Sequence, residues 1–432
     1  MQPSRYNIVT RLEATDDYVI VNLLSGHADL VSEREAQALL SSSCHDRRFI
    51  ERGYLVDPAE EQMLFRMKYI DFLESREQEE VQVFFVPTYH CNFDCTYCYQ
   101  SCYTPEEQEL SPGVISAFFR YVDQHLSGKQ RYVTLFGGEP LLPGQSYHES
   151  IDHFISLCGQ SETDLAIVTN GYHLDKYFDD FHKARIREVQ ITLDGTREVH
   201  DARRPLKGGK PSFDVIVSNL ETCLELGYQV NLRVVIDRHN MHSLKDLARF
   251  AVDRGWTEHP LFKTQLGRNY ELHHCHSKSQ KLYSRLDLYK DLYRLIRQHP
   301  EISDFHTPAF SITKFLFDNG SLPPPLFDAC PGCKSEWALD YTGTIYPCTA
   351  TVGRTGEELG SFYPEVRLDH HKISAWKNRD VTTIEACHHC SVQLACGGGC
   401  GSLAKNSNGH LLTPDCRPVK ELIGLGSAFY FS

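Results

Sequence analysis

The sequence predicts an α/β protein whose largest part is a partial (β/α)6 barrel of parallel strands. Between residues 81 and 298, short apolar runs alternate with longer amphipathic segments, as in folds where helices cover a parallel sheet. The chain has 432 residues, 41% hydrophobic and 23% charged, which is enough for two or three packed domains. We predict a small N-terminal α+β module over 1–80, the barrel over 81–320 and a cysteine-rich domain over 321–432.

The N-terminal module is predicted from turn and helix-start signals. Residues 17–31 form two apolar runs on either side of Ser25-Gly26-His27, which is typical of a hairpin. Helical patterns follow at 33–40 and 46–51, and Pro58 starts a charged helix that continues to about residue 74. The pattern fits a structural cap and a ligand-binding module equally well.

Six units of strand followed by helix are predicted from residue 81 onward. The predicted strands lie at 81–87, 132–136, 165–169, 188–193, 229–236 and 260–266. The predicted helices lie near 111–127, 148–158, 174–184, 212–227, 242–254 and 281–298. In parallel α/β folds, the loops that leave the C-terminal ends of the strands build the functional site. We therefore expect the chemistry in the segments that follow these strands.

Composition and charge narrow the class of protein. The net charge of −13 argues against a nucleic-acid partner, which would need a basic face. No apolar stretch is long enough to cross a bilayer and the N-terminus lacks a signal segment, so we expect a cytoplasmic protein with no membrane partner. In such a chain, 16 cysteines indicate metal or redox sites rather than a disulfide framework.

Three cysteines follow the first predicted strand at C-x3-C-x2-C spacing, namely Cys91, Cys95 and Cys98. A loop that leaves a strand end can wrap three thiolates around one metal centre. A cubane iron–sulfur cluster normally takes four cysteines, so three would leave one iron open to a small molecule. A structural zinc site is the alternative that the spacing leaves open.

A second motif, Phe136-Gly137-Gly138-Glu139-Pro140, ends the second predicted strand. The two glycines would let the backbone approach a ligand closely, and Glu139 can accept a hydrogen bond from an ammonium group. A Gly-Gly turn alone is weak evidence. Its position at a strand end beside the cysteine motif makes it a strong indication of a binding site.

The composition changes after Pro323-Pro324-Pro325, where a field of cysteines begins. Its eight members are Cys330, Cys333, Cys348, Cys387, Cys390, Cys396, Cys400 and Cys416. Eight cysteines make two sets of four, the number that two closed cubane clusters require. Two structural zinc sites would need the same number.

Together the front motifs resemble the radical S-adenosylmethionine (SAM) superfamily, in which an aromatic residue, here Tyr97, precedes the third cysteine. The resemblance implies that Cys91, Cys95 and Cys98 hold a [4Fe-4S] cluster whose open iron binds SAM. It also implies that the segment of Gly137, Gly138 and Glu139 binds the amino group of SAM.

The segment from Thr192 to Phe213 resembles the next part of the same superfamily. By that match, Thr192 and Arg204 are candidates to contact the carboxylate or ribose of SAM, because a guanidinium pairs well with a carboxylate. The alternative for Arg204 is a surface ion pair. His200 and Asp201 are expected to order the loop rather than to catalyse.

The C-terminal cysteine spacings resemble the SPASM domain, which carries two auxiliary clusters. The resemblance implies that Cys333, Cys348 and Cys400 hold the first auxiliary cluster, with Cys330 as the fourth ligand. The second cluster would be held by Cys387, Cys390, Cys396 and Cys416. Gly343 would make a tight hairpin between Cys333 and Cys348, and Gly397–Gly399 would let the chain double back between the two clusters.

This resemblance implies three [4Fe-4S] clusters, SAM as cofactor and an enzyme that cleaves SAM to a 5′-deoxyadenosyl radical. Most enzymes with a SPASM domain modify peptides, so a precursor peptide with a leader is the implied substrate. The N-terminal module resembles leader-binding, winged-helix-like modules that add the peptide as a strand to a sheet edge. An electron donor such as flavodoxin or ferredoxin is the other implied partner.

Two substrate classes compete within the resemblance. A ribosomal-peptide maturase would form a thioether or carbon–carbon crosslink, whereas an anaerobic sulfatase maturase would convert Cys or Ser to formylglycine. We favour the first, since 90 residues precede Cys91 and the sulfatase maturases begin close to their cluster motif. They also carry an acidic residue, the proposed general base, where this chain has Thr349.

A non-catalytic iron–sulfur or zinc protein is the remaining alternative, but it would not need the Gly-Gly-Glu-Pro segment. A redox relay should show a nucleotide-binding fingerprint, and the sequence contains none. No residue stands out as an acid–base catalyst, although Tyr99, Asp194, Asp340 and His200 could face the cavity. His273–His276 is expected to be a solvated loop.

Overall fold

The computed structural model describes residues 1–12, 15–41, 46–103, 109–269 and 281–431. The predicted loop at His273–His276 lies outside these ranges. Within them, no helix is both long enough and apolar enough to span a bilayer.

The N-terminal module contains a three-stranded antiparallel sheet, a two-stranded pair and three helices. Its elements are β1 (Gln2–Pro3), β2 (Ile8–Arg11), β3 (Tyr18–Asn22), β4 (His27–Val31), α1 (Glu33–Leu40), α2 (Arg47–Glu51), β5 (Leu55–Val56) and α3 (Pro58–Glu77). The predicted hairpin is confirmed, since β3 and β4 pair antiparallel with Val19 opposite Leu30. The third strand, β2, was not predicted. Asp57 caps α3 through its side chain, and Pro58 occupies the first turn, where a missing N–H costs nothing.

The middle of the chain contains the predicted alternation of strands and helices. Its elements are β6 (Val81–Val86), α4 (Pro112–His125), β7 (Arg131–Leu135), α5 (Gln145–Gln160), β8 (Asp164–Thr169), α6 (Phe178–Phe181), β9 (Ile186–Thr192), α7 (Arg197–Arg203), α8 (Phe213–Glu225), β10 (Val230–Ile236), α9 (Leu244–Asp253), β11 (Phe262–Arg268), α10 (Arg285–Gln298), α11 (Ile302–Phe305) and α12 (Thr313–Asn319). Strands β6 to β11 lie side by side in chain order and are all parallel. The predicted parallel sheet is confirmed.

The two faces of this sheet have different roles. Alternate residues of β6, Val81, Val83 and Phe85, pack into the outer core with the covering helices. Phe84 and Val86 point to the opposite face and belong to a smaller inner cluster. The helices therefore cover one face and leave the other for the interior of the partial barrel.

Two parts of the middle segment differ from the prediction. Residues 174–184 were expected to form one helix, but they form a 3-10 turn at Leu174–Lys176 and the four-residue α6. Leu174, Tyr177 and Phe181 are fully buried. Their spacings of three and four residues suit a helix, but they suit consecutive tight turns as well. Helix α7 was not predicted.

The C-terminal part consists of short strands and helices that extend the central sheet. Its elements are β12 (Glu336–Asp340), β13 (Thr344–Tyr346), β14 (Gly360–Ser361), β15 (Arg367–Leu368), α13 (His370–Lys377), α14 (Gln393–Cys396), α15 (Gly401–Asn408) and α16 (Val419–Tyr430). Strand β12 pairs parallel with β6, and β13 to β15 follow antiparallel, which gives a sheet of ten strands among the described residues. Gly343 forms the predicted tight hairpin, with φ of 88°.

The N-terminal module and the cysteine-rich segment share one hydrophobic core. Phe327 is fully buried, and its ring lies 5.1 Å from Phe65, 5.2 Å from Tyr69 and 5.4 Å from Phe72, all on α3. Helix α16 packs against β2 so closely that a Cβ on Gly424 would lie 2.6 Å from the carbonyl oxygen of Arg11. The two ends of the chain therefore stabilise each other.

We predict that Phe327→Ala lowers the free energy of unfolding by about 3–5 kcal/mol, because it leaves a cavity among three aromatic rings. The measurement is the denaturant midpoint of the reconstituted protein. Phe315→Ala is the control, since Phe315 is 42% exposed and its truncation should change the midpoint little. Equal midpoints for the two variants would contradict the shared core.

Candidate functional site

The loop after β6 brings the three cysteines of the front motif together. Burial, followed by the Glu139 carboxylate, raises the pKa of Cys91 to about 12, and the thiols of Cys95 and Cys98 add to the shift. The thiols therefore lie close enough to interact electrostatically. The backbone N–H of Phe93 donates a hydrogen bond to Cys91 Sγ at 3.4 Å, which leaves this sulfur oriented by the loop.

The Gly-Gly-Glu segment packs directly against the base of this loop. The N–H groups of Gly138 and Glu139 donate to the carbonyl oxygens of Thr88 at 3.0 Å and His90 at 2.9 Å. A Cβ on Gly138 would lie 2.2 Å from the carbonyl oxygen of His90, and one on Gly137 would lie 2.5 Å from that of Thr88. The glycines are therefore required for contact between two backbone segments, whereas the sequence suggested contact with a ligand.

The carboxylate of Glu139 joins the segments that follow two neighbouring strands. It accepts hydrogen bonds from the N–H of Leu141 at 3.0 Å, the hydroxyl of Thr169 at 2.6 Å and the N–H of Asn170 at 2.6 Å. The side chain is 1% exposed, and this burial raises its pKa. Its carboxylate is thus engaged by protein donors and fixes the ends of β7 and β8.

Arg204 lies buried beside the cysteine loop. Its Nη1 donates to the hydroxyl of Tyr97 at 2.7 Å, and its guanidinium lies 5.7 Å from the centre of the Phe93 ring. Its buried Nε has no hydrogen-bond partner. Burial raises the pKa of Cys95 to about 11, and the opposing effect of Arg204 places the guanidinium near that thiol. Because Arg204 is buried, the surface ion pair considered for it is excluded. Its Nε–H group remains available to donate a hydrogen bond to an anion.

The neighbouring Arg203, which the sequence did not single out, makes the ion pairs instead. Its guanidinium lies 3.3 Å from Asp194 and 2.8 Å from Asp237, and both carboxylates are buried. His200 is fully buried, and its Nδ1 accepts from the N–H of Asp194 at 3.4 Å. This network fixes the loop that follows β9, where Thr192 is the buried last residue.

Asp201 orders the start of the following helix. Its Oδ1 accepts from the N–H of Ser212 at 2.9 Å and of Phe213 at 3.1 Å at the beginning of α8. The expectation that His200 and Asp201 order the loop is confirmed.

Four C-terminal cysteines lie around the β12–β13 hairpin. Cys330 and Cys333 precede β12, Cys348 follows β13 and Cys400 immediately precedes α15. Burial is the main cause of the raised pKa of the last three thiols, and the thiolate of Cys330 adds to the shift in each of them. The Sγ of Cys330 also accepts from the N–H of Gly401 at 3.4 Å. Cys330 is therefore near all three of the other cysteines.

The remaining C-terminal cysteines form a second group. Burial raises the pKa of Cys387 to about 11, and the thiols of Cys396, Cys390 and Cys416 add to the shift. Cys416 is exposed, whereas Cys387 and Cys396 are buried. These four thiols therefore lie close enough to one another to interact electrostatically.

A run of three glycines connects the two groups. Gly397, Gly398 and Gly399 have φ values of 59°, 70° and 68°, in the left-handed region that favours glycine. A Cβ on Gly399 would lie 2.1 Å from the carbonyl oxygen of Asp415. The chain therefore turns here in a conformation that favours glycine, and Gly399 packs against the backbone of Asp415.

All three groups offer only thiolate donors, in sets of three, four and four. Such sulfur-only sets fit iron–sulfur clusters, whose irons are held by cysteine thiolates. Within the described ranges, no three His, Cys, Asp or Glu side chains converge as ligands of one metal ion.

Glu336 is a functional candidate that the sequence analysis missed. Trp337 and Leu339 pack into the outer core, so Glu336 and Ala338 face the inner side of the sheet. The Oε1 of Glu336 accepts from the N–H of Thr349 at 2.8 Å and from its hydroxyl at 2.9 Å. Burial raises the pKa of Glu336. The alternation over residues 336–340 would have indicated this carboxylate if β12 had been recognised as a strand.

The other carboxylate of β12 and the two nearby tyrosines connect the sheet to the cysteine loop. Asp340 accepts from the hydroxyl of Tyr89 at 2.7 Å, and the hydroxyl of Tyr99 donates to the carbonyl oxygen of Thr349 at 3.2 Å. Tyr99 and Asp340 therefore join the front motif to the C-terminal segment, in contrast to Asp194 and His200, which belong to the loop after β9.

Comparison with known proteins identifies the central domain. Residues 85–251 match the Radical SAM superfamily. A GTP 3′,8-cyclase of Nautilia profundicola is 29% identical over 175 residues, which cover 39% of this chain and 52% of the relative. This chain thus spans about half the length of that relative. A cysteine-type anaerobic sulfatase-maturating enzyme of Clostridium novyi is 23% identical over 340 residues, which cover 72% of this chain and 85% of the relative.

Solved structures share the fold at low sequence identity. Native anSMEcpe with bound AdoMet superimposes with a TM-score of 0.61 and 17% identity, over 81% of this chain and 98% of that one. Streptococcus suis SuiB bound to its precursor peptide SuiA superimposes with a TM-score of 0.52 and 15% identity, over 97% of this chain and 99% of that one. Residues 85–251 are therefore a Radical SAM domain, and the fold of the chain is shared with anSMEcpe and SuiB.

Proposed function

We propose that the protein is a peptide maturase that forms a thioether or carbon–carbon crosslink in a ribosomally made precursor peptide. The observation that carries this proposal is the extent of the likeness to SuiB, which covers 97% of this chain and includes the N-terminal module. The likeness to anSMEcpe covers 81%. Because the likeness to peptide-bound SuiB includes the N-terminal module, it favours a precursor peptide as the substrate of this chain.

The N-terminal module offers two surfaces to a leader peptide. Strand β4 is at the edge of its three-stranded sheet, and its Leu30 is 61% exposed. Met63, Met67 and Ile70 lie on one face of α3 and are 65%, 52% and 55% exposed. An apolar leader segment added as a strand to β4 would satisfy the free edge, and the face of α3 would provide apolar contacts.

The front site is proposed to hold the first cluster and SAM. Cys91, Cys95 and Cys98 would bind a [4Fe-4S] cluster, which supplies the electron that cleaves SAM to a 5′-deoxyadenosyl radical. The unpartnered Nε of buried Arg204 is suited to the carboxylate of SAM, and Tyr97 orients that guanidinium.

Two neighbouring segments complete the proposed SAM site. Thr192 lies at the end of β9, near the loop that carries Arg204. The backbone of Gly137–Glu139, held against the cysteine loop, is proposed to receive the amino group of SAM. Three protein donors occupy three of the roughly four acceptor positions of the Glu139 carboxylate, so it is proposed to accept from the amino group together with the backbone carbonyl groups.

The C-terminal groups are proposed to hold two auxiliary [4Fe-4S] clusters. Cys330, Cys333, Cys348 and Cys400 would bind the first, and the position of Cys330 near the other three supports its role as a ligand. The second would be bound by Cys387, Cys390, Cys396 and Cys416. The protein's part is to position these groups beside the barrel and to exclude water around them.

A second candidate function, sulfatase maturation, is favoured by one specific observation. The sequence argued against it because Thr349 stands where the sulfatase maturases carry an acidic residue. In the structure, however, the Glu336 carboxylate is hydrogen-bonded to both the N–H and the hydroxyl of Thr349. The Glu336 carboxylate of β12 therefore lies beside Thr349, where the acidic residue is missing. This weakens the sequence argument against sulfatase maturation.

We predict that peptides distinguish the two functions. With reconstituted enzyme, SAM and dithionite, a precursor peptide encoded beside the gene should lose two hydrogen atoms and keep its sulfur. A sulfatase-derived peptide should remain unchanged, whereas conversion of its cysteine to formylglycine would remove the sulfur. Mass spectrometry measures both, with the leaderless core peptide as control for the N-terminal module. Processing of the sulfatase peptide alone would overturn the crosslinking proposal.

We predict that Gly138→Ala removes the front cluster, because its Cβ would lie 2.2 Å from the carbonyl oxygen of His90. Iron content should fall by about four per chain, and SAM cleavage should be lost, while the C-terminal iron stays bound. Gly128→Asn is the control, since a Cβ there meets nothing within 4 Å and asparagine tolerates its positive φ. Full iron content in Gly138→Ala would contradict the tight contact.

We predict that Arg204→Ala weakens SAM binding roughly 30-fold, the equivalent of about 2 kcal/mol for loss of a charge-assisted hydrogen bond. Equilibrium dialysis of the cluster-loaded variants measures the affinity. Tyr97→Phe should have a smaller effect, because it removes only the hydroxyl that orients Arg204. Arg185→Ala is the control, since that side chain is 71% exposed in a surface ion pair. Unchanged affinity in Arg204→Ala would rule out the carboxylate contact.

A further inference from the structure

A cationic cavity opens on the outer side of the sheet, away from the barrel interior. It has a volume of about 260 Å³ and lies between α3, α4, β12 and α13. Six basic side chains contribute to its lining, namely Arg76, His125, Lys129, Lys334, His370 and Lys377. The charge is unusual for this chain, whose net charge is −13.

Only part of this positive charge is neutralised. Glu77 is the acidic residue of the lining, and its carboxylate lies 2.9 Å from Lys129. Buried Asp328 pairs with Lys334 and lies 3.7 Å from Arg76. Four lysine and arginine side chains therefore face two carboxylates, which leaves an excess of two positive charges before the histidines are counted.

The electrostatic effect of the excess is visible at Glu77. Its hydrogen bond with Lys129 lowers the pKa of Glu77, and the charges of Lys129, Arg76 and Lys377 lower it further. Lys377 is exposed, and its ammonium lies 5.9 Å from the centre of the Trp337 ring. The rim of the cavity thus attracts negative charge and presents an apolar surface beside it.

The floor of the cavity is formed by a proposed cluster ligand. Cys333 contributes to the lining and is fully buried. Tyr121 on α4 lies beside it, since burial and then the Cys333 thiolate raise the pKa of Tyr121 to about 12. Lys334 and Lys377 also act on this thiol. The cavity therefore approaches Cys333 from the side of the sheet opposite Glu336, while the thiol itself stays buried.

We propose that this cavity and its rim are the docking site of an acidic one-electron carrier protein. Such carriers have negative surfaces around their redox centre, and a rim with excess positive charge would steer one toward Cys333. A docked carrier would lose one electron and an iron–sulfur cluster bound by Cys333 would gain it, with no bond made or broken. The inference rests on the proposed assignment of Cys333 as a ligand of the first auxiliary cluster.

Two charge variants with opposite expected effects test the docking site. Lys377→Glu should lower the association rate of purified, acidic flavodoxin roughly tenfold at low salt, and the difference should vanish at high salt. Glu77→Gln should raise that rate, because it removes the acidic residue of the lining. Binding is measured by calorimetry and biolayer interferometry, and cluster reduction by anaerobic stopped-flow absorption.

Two controls separate docking from folding and from peptide chemistry. Lys290→Glu reverses an exposed charge on α10, which does not line this cavity, and should leave flavodoxin binding unchanged. SAM cleavage driven by dithionite should be equal in all variants, because it needs no carrier. Equal flavodoxin rates in wild type and Lys377→Glu, or an equal loss in Lys290→Glu, would overturn the docking site. Failure to process any peptide would count against the proposed function and leave these binding measurements unaffected.

Discussion

The parallel pairing of β12 with β6 is the interaction on which the arrangement of the cysteines depends. Strand β6 leads directly into the loop of Cys91, and β12 lies between Cys333 and the hairpin that ends at Cys348. Both faces of the pair are buried, one in the outer core and one in the inner cluster of Phe84 and Ala338. Cys91 and its neighbours on one side, and Cys333 and Cys348 on the other, are thereby attached to one rigid sheet, which fixes their separation.

The barrel strands could be predicted because they are buried on both faces and therefore appear as apolar runs. Strand β12 could not, since its five residues begin with Glu336 and end with Asp340. Its carboxylates are stabilised by partners distant in sequence, Thr349 and Tyr89, which no local pattern reveals. The helix predicted over residues 174–184 was wrong for the opposite reason. Their apolar spacing suits a helix and a pair of tight turns equally.

At the site, the cysteine motifs could be recognised in the sequence, whereas the reasons for individual residues could not. The glycine pair was expected to admit a ligand, but Gly138 is required by a backbone carbonyl 2.2 Å from its Cβ position. Likewise, two adjacent arginines have opposite roles. Arg203 neutralises Asp194 and Asp237, and this leaves the buried Nε of Arg204 free of internal partners. The residue pattern alone does not distinguish them, because the difference depends on which groups each one faces, and Arg204 was singled out only by the resemblance.

The sheet also separates two kinds of electrostatic environment. On its inner side, Glu336 and Asp340 are buried carboxylates whose raised pKa values reflect desolvation, which suits a region that handles protons. On its outer side, lysines surround Cys333, which suits a region that receives negative charge. Cys333 and Glu336 are only three positions apart, yet they belong to these different sides. Strand β12 thus separates the proposed docking cavity on one face of the sheet from two buried carboxylates on the other.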